Sequence, residues 1–440
     1  MRFYIVTLGC PKNQVDSEGM AQLLTSAGHR QTELPEDADC LIVNTCGFIA
    51  PAREESLATL REIAREKRPD QMLVAAGCMA ERYGAALLRQ VPALDGLVGT
   101  RKWGRIVPLL DRLGSARARG ERLNLIAEGK SSLVMPFPRA ARPGFSAYIK
   151  IADGCSAACA FCAIPAIKGP QHSKASRQII IEARQLVEQG IKEIILIAQD
   201  TTSYGRDRGQ PDGLPLLIEE IVAEVPKLPW LRIMYAYPQH VTPRLIEVMA
   251  EHPQVCHYLD LPLQHGHPDV LRRMGRPSDT CRTASLIDDL RQAMPDIALR
   301  TTFIVGYPGE TDEEFAALLD FMQRSAFDKV GVFVYSPEEG TRAASLPNRI
   351  SEELKSERYD RAMLLQQKIS LERNREQMGR SLHVLMEGTG DGISVGRSYR
   401  DAPEIDGLVL VETECSPGDI VPVRITSAME YDLVGELESR

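Results

Sequence analysis

The sequence predicts an α/β protein in three parts: a parallel-sheet α/β domain, a partial six-unit β/α barrel and a small antiparallel β-barrel. Three observations carry this expectation. Apolar runs alternate with segments of helical spacing through the first 110 residues. The same alternation resumes for six units after a polar, proline-rich interval, and the last 60 residues switch to short strands between Gly, Pro and Asp turns. A chain of 440 residues with 44% hydrophobic content can bury cores in about three domains.

In the first part, residues 1–110, "RFYIVTLGC", "DCLIVNTCGF" and "QMLVAAGCMA" read as buried strands. Between them, Met20, Leu23 and Leu24, then Leu57, Leu60, Ile63 and Ala64, recur at helical spacing. This βαβαβ order requires a parallel sheet, whose strands end along one shared edge where ligands usually bind. Each run ends on a cysteine, so Cys10, Cys46 and Cys78 should meet at that edge despite separations of 36 and 32 residues. Residues 111–142 read as a linker, because "GSARARGERLN" is polar and basic and "MPFPRAARPG" is rich in proline.

The second part, residues 143–378, holds six strand-like runs: "SAYIKIADGC", "EIILIAQD", "LRIMYAYP", "HYLDLPLQH", "LRTTFIVGYPG" and "KVGVFVYSP". Helical segments lie between them, which fits an open version of the eightfold β/α barrel. A polar helical stretch leads to Gly379 and the third part, residues 379–440, where "SLHVLMEG", "ISVGRSY", "GLVLVE" and "DIVPVRIT" read as strands of a small barrel.

No run of about 18 apolar residues exists to span a membrane, and Cys10 and Lys12 interrupt the first strand too early for a signal peptide. The expected location is the cytoplasm. Ten cysteines in such a chain are expected to remain thiols, as core residues or metal ligands. The net charge of -8 arises entirely after residue 380, where 12 acidic residues, among them Glu404, Asp406, Glu412 and Glu414, face 4 arginines.

The most specific string is "GCSAACAFCAIP", which sets Cys155, Cys159 and Cys162 as CxxxCxxC directly after the first barrel strand. Structural zinc sites prefer two cysteine pairs, and no second pair follows at that spacing. Three thiolates on one tight loop suit a cubane iron-sulfur cluster with one open iron, and the plain alternatives are a zinc knot or three buried thiols. Cys40, Cys256, Cys281 and Cys415 have no such company and read as core or surface thiols.

CxxxCxxC with Phe161 before its third cysteine, at the end of the first strand of a partial barrel, resembles the radical S-adenosylmethionine (SAM) enzymes. With Cys10, Cys46 and Cys78 added, the chain is similar to the radical SAM methylthiotransferases, which replace C–H by C–S–CH3. The resemblance implies two 4Fe-4S clusters, one on each cysteine triplet, and SAM as cofactor. It also implies that the terminal barrel is a TRAM domain of OB-like form. Past the second strand, Gln199 and Asp200 are candidates for the methionine end of the cofactor, and Gly306 and Gly309 of "FIVGYPGET" for its adenosine. Gln264 and Arg300 are weaker candidates, and Glu310 is read as a helix cap. Lys12, Asn13, Asp16 and Asn44 are candidates for support of the first triplet, although Asp16 also reads as a helix start.

Two branches of this family compete. "TLGCPKNQVDSEGM", "IVNTCGFIAPAREES", "IKIADGC" and "GRSYRDAPEIDG" resemble the branch that modifies the β-carbon of an aspartate in small-subunit ribosomal protein S12. The alternative branch modifies an adenosine of transfer RNA (MiaB/MtaB-like). "IKGPQHSKASRQI" departs from the arginine-rich string expected after the triplet, which leaves the contacts of Lys168 to Arg177 open. The resemblance implies an electron donor such as a flavodoxin or ferredoxin. The acidic terminal part argues that direct RNA binding does not dominate, since phosphate is gripped by Lys and Arg.

Overall fold

The computed structural model of the protein describes residues 1–126, 139 and 144–438. The first sheet has six strands: β1 (Arg2–Thr7), β2 (Arg30–Gln31), β3 (Cys40–Thr45), β4 (Met72–Gly77), β5 (Gly96–Gly99) and β6 (Leu123–Leu125). All pair in parallel, in the order β2-β1-β3-β4-β5-β6. The alternation of strand side chains fills a core on each face. Cys40, Ile42, Val74 and Ala76 join Met20, Leu24 and Leu109 on one, while Leu41, Val43, Leu73 and Ala75 join Leu60 and Leu87 on the other.

The segment expected as a linker from residue 111 instead continues this domain. Leu109, Leu110, Leu113 and Ala116 recur at helical spacing and are buried within the helix Ile106–Ala118, and β6 then pairs with β5. The basic residues that give the segment its linker-like composition lie on the solvent side, where Arg112 and Arg119 are exposed. The rest of the expected linker, 127–138 and 140–142, lies outside the described residues.

The second sheet is the expected partial barrel. Strands β7 (Ser146–Lys150), β10 (Glu193–Ile197), β11 (Trp230–Ile233), β12 (Val255–Asp260), β13 (Ala298–Val305) and β14 (Lys329–Val334) are parallel, in the order β14-β13-β12-β11-β10-β7. A short hairpin, β8 (Ala152–Asp153) with β9 (His172–Ser173), brackets the cysteine loop. Ile149, Ile194, Leu196, Leu231, Leu259 and Leu299 pack outward with the helices. Tyr148, Ile195, Ile197, Trp230 and Tyr258 fill a separate core, which also takes Val15 from the first domain and Leu385 and Ala402 from the last. The interior of the barrel is thus finished by both neighbouring domains.

The terminal barrel closes in the order β15 (Ser381–Gly390), β16 (Ile393–Ser398), β17 (Val409–Val411), β19 (Leu433–Leu437), β18 (Ile420–Ala428). Its pairings are antiparallel except β17 with β19. It docks where the barrel strands begin. Arg397 donates to Glu193 at 2.7 Å, Arg232 donates to Glu193 at 2.6 Å and to the Tyr399 carbonyl at 2.6 Å, and Lys329 pairs with Asp401 at 2.8 Å. Among the described residues, no helix is long and apolar enough to cross a membrane.

Glu193 is fully buried between Arg232 and Arg397. Burial opposes its ionisation, but the two guanidiniums outweigh that and hold the carboxyl at about 2 instead of its ordinary 4.5. Replacing Glu193 with Ala strands two buried cations and should cost about 3–5 kcal/mol in urea unfolding at neutral pH. Because the folded value is depressed, this contribution is complete above the ordinary value of 4.5 and is lost as pH falls toward about 2. The stability gap between wild type and Glu193→Ala should therefore narrow only in that acidic window, and a gap independent of pH there would contradict the assignment.

Candidate functional site

Cys10, Cys46 and Cys78 follow β1, β3 and β4, which are adjacent in the sheet, so the three cysteines share one edge as the strand order requires. Gly9 makes the turn with φ +86, and a Cβ there would lie 2.7 Å from the Cys46 Cβ. Asn13 ties the three loops together. Its amide donates to the carbonyls of Leu8 at 2.9 Å and Thr45 at 3.1 Å, and its Oδ1 lies 3.8 Å from the Cys78 Sγ. Asn44 donates to the Asn13 carbonyl at 2.8 Å and to Ser17 at 2.9 Å, and Ser56 bonds both the N–H and the carbonyl of Cys46.

Cys155, Cys159 and Cys162 share the loop after β8. Gly154 holds φ +74, and a Cβ there would meet the Pro170 carbonyl oxygen at 2.2 Å. Backbone bonds pin the loop: Cys155 donates to Gly169 at 3.0 Å, Ala160 to Met274 at 2.7 Å, and Ala343 to Ala160 at 2.9 Å. Arg276 reaches the Cys159 Sγ at 3.8 Å and stacks over the Tyr237 ring at 4.1 Å.

The two triplets converge. Cys78 shares a small buried apolar cluster with Ala163 and Ile167, and Ala163 directly follows Cys162. Beside it lies a buried set of four charges: Asp16 from the first domain, and Lys150, Asp153 and Lys168 from the second. Lys168 is 3.0 Å from Asp153 and 3.8 Å from Asp16, Lys150 is 3.5 Å from Asp153, and Lys150 also pairs directly with Asp16. Burial disfavours ionisation of Asp153, yet Lys150 and Lys168 outweigh it and keep the carboxyl below its usual range. Asp16 therefore belongs to this network and not to a helix start, since its helix begins at Pro11.

The chemistry of the sulfurs fits a cluster. All ten cysteines are free. Burial pushes Cys78 and Cys162 up to about 12 and raises Cys46 and Cys155, so these sulfurs favour the thiol until a cation meets them. Cys40 and Cys256 are core thiols, as expected, both pushed up to about 12 by burial. Cys281 is exposed.

The other candidates divide. Gln199 has a buried Oε1 with no hydrogen-bond partner among the described residues, as a polar contact awaiting a ligand would. Phe161 packs on Ala160, Met274 and Tyr307 beneath the triplet loop. Gly309 faces open space, whereas Gly306 is backed by Lys355, whose Cγ a Cβ would meet at 2.3 Å. Asp200 caps the turn after β10, accepting from the Ser203 N–H at 3.0 Å and pairing with His240 at 2.9 Å. Arg300 is held by Asp260 at 3.0 Å and Asp406 at 3.4 Å, and Gln264 sits at φ 76 after β12. Glu310 is not a helix cap: it is buried against Arg358 and His265, and Thr311 with Glu314 forms the capping box instead. In the altered string, Lys168 joins the charge network and Lys174 pairs with Glu182 at 2.5 Å.

Sequence reasoning missed Glu338, in the loop after β14. It accepts from the Ala50 N–H at 2.8 Å and from Arg82 at 2.8 Å, so the barrel grips the loop after Cys46 and the helix that begins at Cys78. A lone glutamate in a loop gives no signal of such a reach. Lys12 is also buried; burial lowers it to about 8.

Comparison with known proteins gives three family matches: the uncharacterized protein family UPF0004 over residues 2–99, the radical SAM superfamily over 149–322, and the TRAM domain over 378–437. The chain is 52% identical to the ribosomal protein uS12 methylthiotransferase RimO of Roseiflexus sp. (strain RS-1), over 99% of this chain and 97% of that one. The proteins of the same name from Moorella thermoacetica and Synechocystis sp. are 44% and 46% identical, covering 100% and 97% of this chain and 100% and 96% of theirs. Among solved structures, the radical SAM methyltransferase TsrM of Kitasatospora setae shares the fold, with TM-score 0.59 at 15% identity over 90% of this chain and 80% of that one.

The charge network makes a prediction of its own. Asp16→Ala leaves Lys150 and Lys168 with one carboxylate and should lower stability by about 3–5 kcal/mol, whereas the double variant Asp16→Ala/Lys150→Met should recover much of that loss. Additive losses in chemical denaturation would show that the pair is not coupled.

Proposed function

The chain belongs to the ribosomal protein uS12 methylthiotransferases of the radical SAM superfamily, and from that membership we propose that it transfers a methylthio group to the β-carbon of an aspartate in uS12. Cys155, Cys159 and Cys162 hold the cluster that works with SAM, and Cys10, Cys46 and Cys78 hold the auxiliary one. When bound, these groups supply a radical that opens the C–H bond, the sulfur that replaces hydrogen, and the methyl group from a second SAM. The observation that supports the reading is the packing of Cys78 against Ala163, beside Cys162: it brings the loops of two triplets from different domains together, as a radical and a sulfur acting on one carbon require.

The remaining residues orient and exclude. Asn13, Asn44 and Ser56 fix the three loops of the auxiliary site, and Arg276 offers its guanidinium to Cys159. Gln199 offers its free carbonyl oxygen to the amino end of the cofactor, Gly309 leaves its backbone open to the adenosine, and Phe161 walls the triplet loop. Gly306 keeps helix Glu352–Arg375 close behind that region. The electron comes from a small donor such as a flavodoxin or ferredoxin, and the enzyme works in the cytoplasm, where ribosomal protein and thiols coexist.

The acidic terminal barrel supports a basic protein substrate over an RNA, after one adjustment. Asp406 and Asp401 pair with Arg300 and Lys329 of the central barrel and so serve domain docking, while Glu387 is taken up by Arg397 within the terminal barrel. Glu404, Glu412 and Glu414 are exposed and remain available to steer a Lys- and Arg-rich partner.

Anaerobically reconstituted protein should bind about eight iron atoms per chain, four per cubane. Replacing Cys155, Cys159 and Cys162 with Ala should remove about half the iron and all 5'-deoxyadenosine formation; persistence of that product would sink the assignment. Replacing Cys10, Cys46 and Cys78 should also remove half the iron but spare cofactor cleavage while abolishing methylthiolation, read by mass spectrometry of uS12. Offered both substrates, the enzyme should modify uS12 and leave transfer RNA unmodified, and the opposite result would favour the transfer-RNA branch. Reversing Glu412 and Glu414 to Lys should raise the KM for uS12 several-fold at low salt and less at high salt. An unchanged KM would remove the electrostatic part of the reading.

A further inference from the structure

Lys12 lies two residues past Cys10, on the helix Pro11–Ser26, and is 8% exposed. Its ammonium crosses the domain boundary and stands 2.9 Å from the centroid of the Tyr235 ring, in the loop after β11. Among the described residues, no carboxylate lies within ion-pair distance of this nitrogen, and none of its N–H donors meets an acceptor. Neighbouring cations are provided for: Lys150 and Lys168 face Asp16 and Asp153, and Arg300 faces Asp260 and Asp406. Asp260 is committed, since it accepts from Arg300 at 3.0 Å and from the Tyr235 N–H at 3.1 Å.

A ring face offsets only part of the cost of burying an ammonium; a carboxylate that brings two acceptor oxygens does much better. The ring is also held firmly under the charge. Tyr235 adopts φ 63, unusual for a bulky residue, and its backbone is fixed by the Asp260 bond and by the Thr201 N–H at 3.0 Å. Among the described residues, the junction of the two cysteine domains therefore presents a buried positive charge with no carboxylate at ion-pair distance, its nearest anionic neighbours being Cys10 and Asp260.

We propose that Lys12 is a specificity-determining residue whose ammonium receives the side-chain carboxylate of the substrate aspartate and thereby holds its β-carbon at the meeting of the two cysteine triplets. The inference rests on the substrate reading given above. It names what that reading leaves open, namely how an aspartate is told from its neutral isostere. Asparagine matches aspartate in size but brings no charge, so it would enter with the ammonium still lacking a direct ion-pair partner.

The test uses full-length reconstituted enzyme with two substrates: uS12, and uS12 carrying asparagine at the residue that wild-type enzyme modifies. Wild type should prefer the aspartate form. Lys12→Met, close in shape and neutral, should lose roughly 30-fold or more in kcat/KM on the aspartate form, mainly through KM, because one partner of a desolvated charge pair is gone. On the asparagine form it should stay near wild type, so that the preference collapses. Lys12→Arg, which keeps the charge, should keep the preference. An unchanged preference in Lys12→Met overturns the proposal, as does loss of half the iron from that variant, which would make the lysine a support of the auxiliary cluster. Absence of any wild-type product on uS12 would instead overturn the substrate reading, so the two failures are distinguishable.

Discussion

The arrangement of this enzyme depends on four buried charges, Asp16, Lys150, Asp153 and Lys168, whose side chains are no more than 4% exposed. They sum to zero, and three of them sit close to a cysteine in the chain: Asp16 on the helix after Cys10, Asp153 two residues before Cys155, and Lys168 on the helix after Cys162, while Lys150 ends β7. Lys168 also donates to Thr100 at 2.9 Å, just past β5, so the network spans the domain boundary at two places. A buried ion-pair network of this kind contributes little net stability over an apolar contact, because desolvation consumes most of the attraction. What it does provide is a single register. Apolar faces tolerate sliding, whereas four charges within a few ångströms have one low-energy arrangement.

That register matters because neither domain owns the whole site. One triplet comes from three strand ends of the first sheet and the other from a single loop of the barrel, so the separation between them is set by domain docking. Misplacement of reacting groups by about 1 Å can cost on the order of a hundredfold in rate. Glu338 grips the first domain from the far side of the barrel, through Ala50 and Arg82, and so adds a second fixed point. Two separated points of attachment resist rotation in a way that one cannot. The terminal barrel completes the frame from below, where Leu385 and Ala402 close the core that Val15 enters from above.

Most of the fold was legible because it is written in local pattern. Runs such as "DCLIVNTC" cannot avoid being buried strands, and parallel order brings their terminal cysteines together whatever lies between. The boundary at residue 111 was misjudged for a physical reason: arginines on the solvent face of helix Ile106–Ala118 dominated its composition, although Leu109, Leu113 and Ala116 carried the helical period. The partners of Asp16, Asp406 and Glu310 were not legible at all. A carboxylate near a helix start, on a loop or before a helix has an adequate local explanation in each case. Only tertiary structure shows that Lys150, Arg300 and Arg358 are waiting across the chain.

The string "GRSYRDAPEIDG" shows how a family-marking motif can be structural. Arg397 reaches Glu193, Tyr399 donates to the Asp296 carbonyl at 2.9 Å, Arg400 binds Asp328 at 2.5 Å, and Asp406 accepts from Tyr258 at 2.7 Å. Every one of these partners lies in the central barrel. The motif therefore fixes the terminal domain as a rigid extension of the barrel instead of contacting substrate through those side chains. Rigidity has a consequence for recognition: the exposed acids Glu412 and Glu414 are held at a set position relative to the cysteine triplets. A protein substrate drawn to them, as proposed above, would meet the cysteine triplets in a restricted range of orientations.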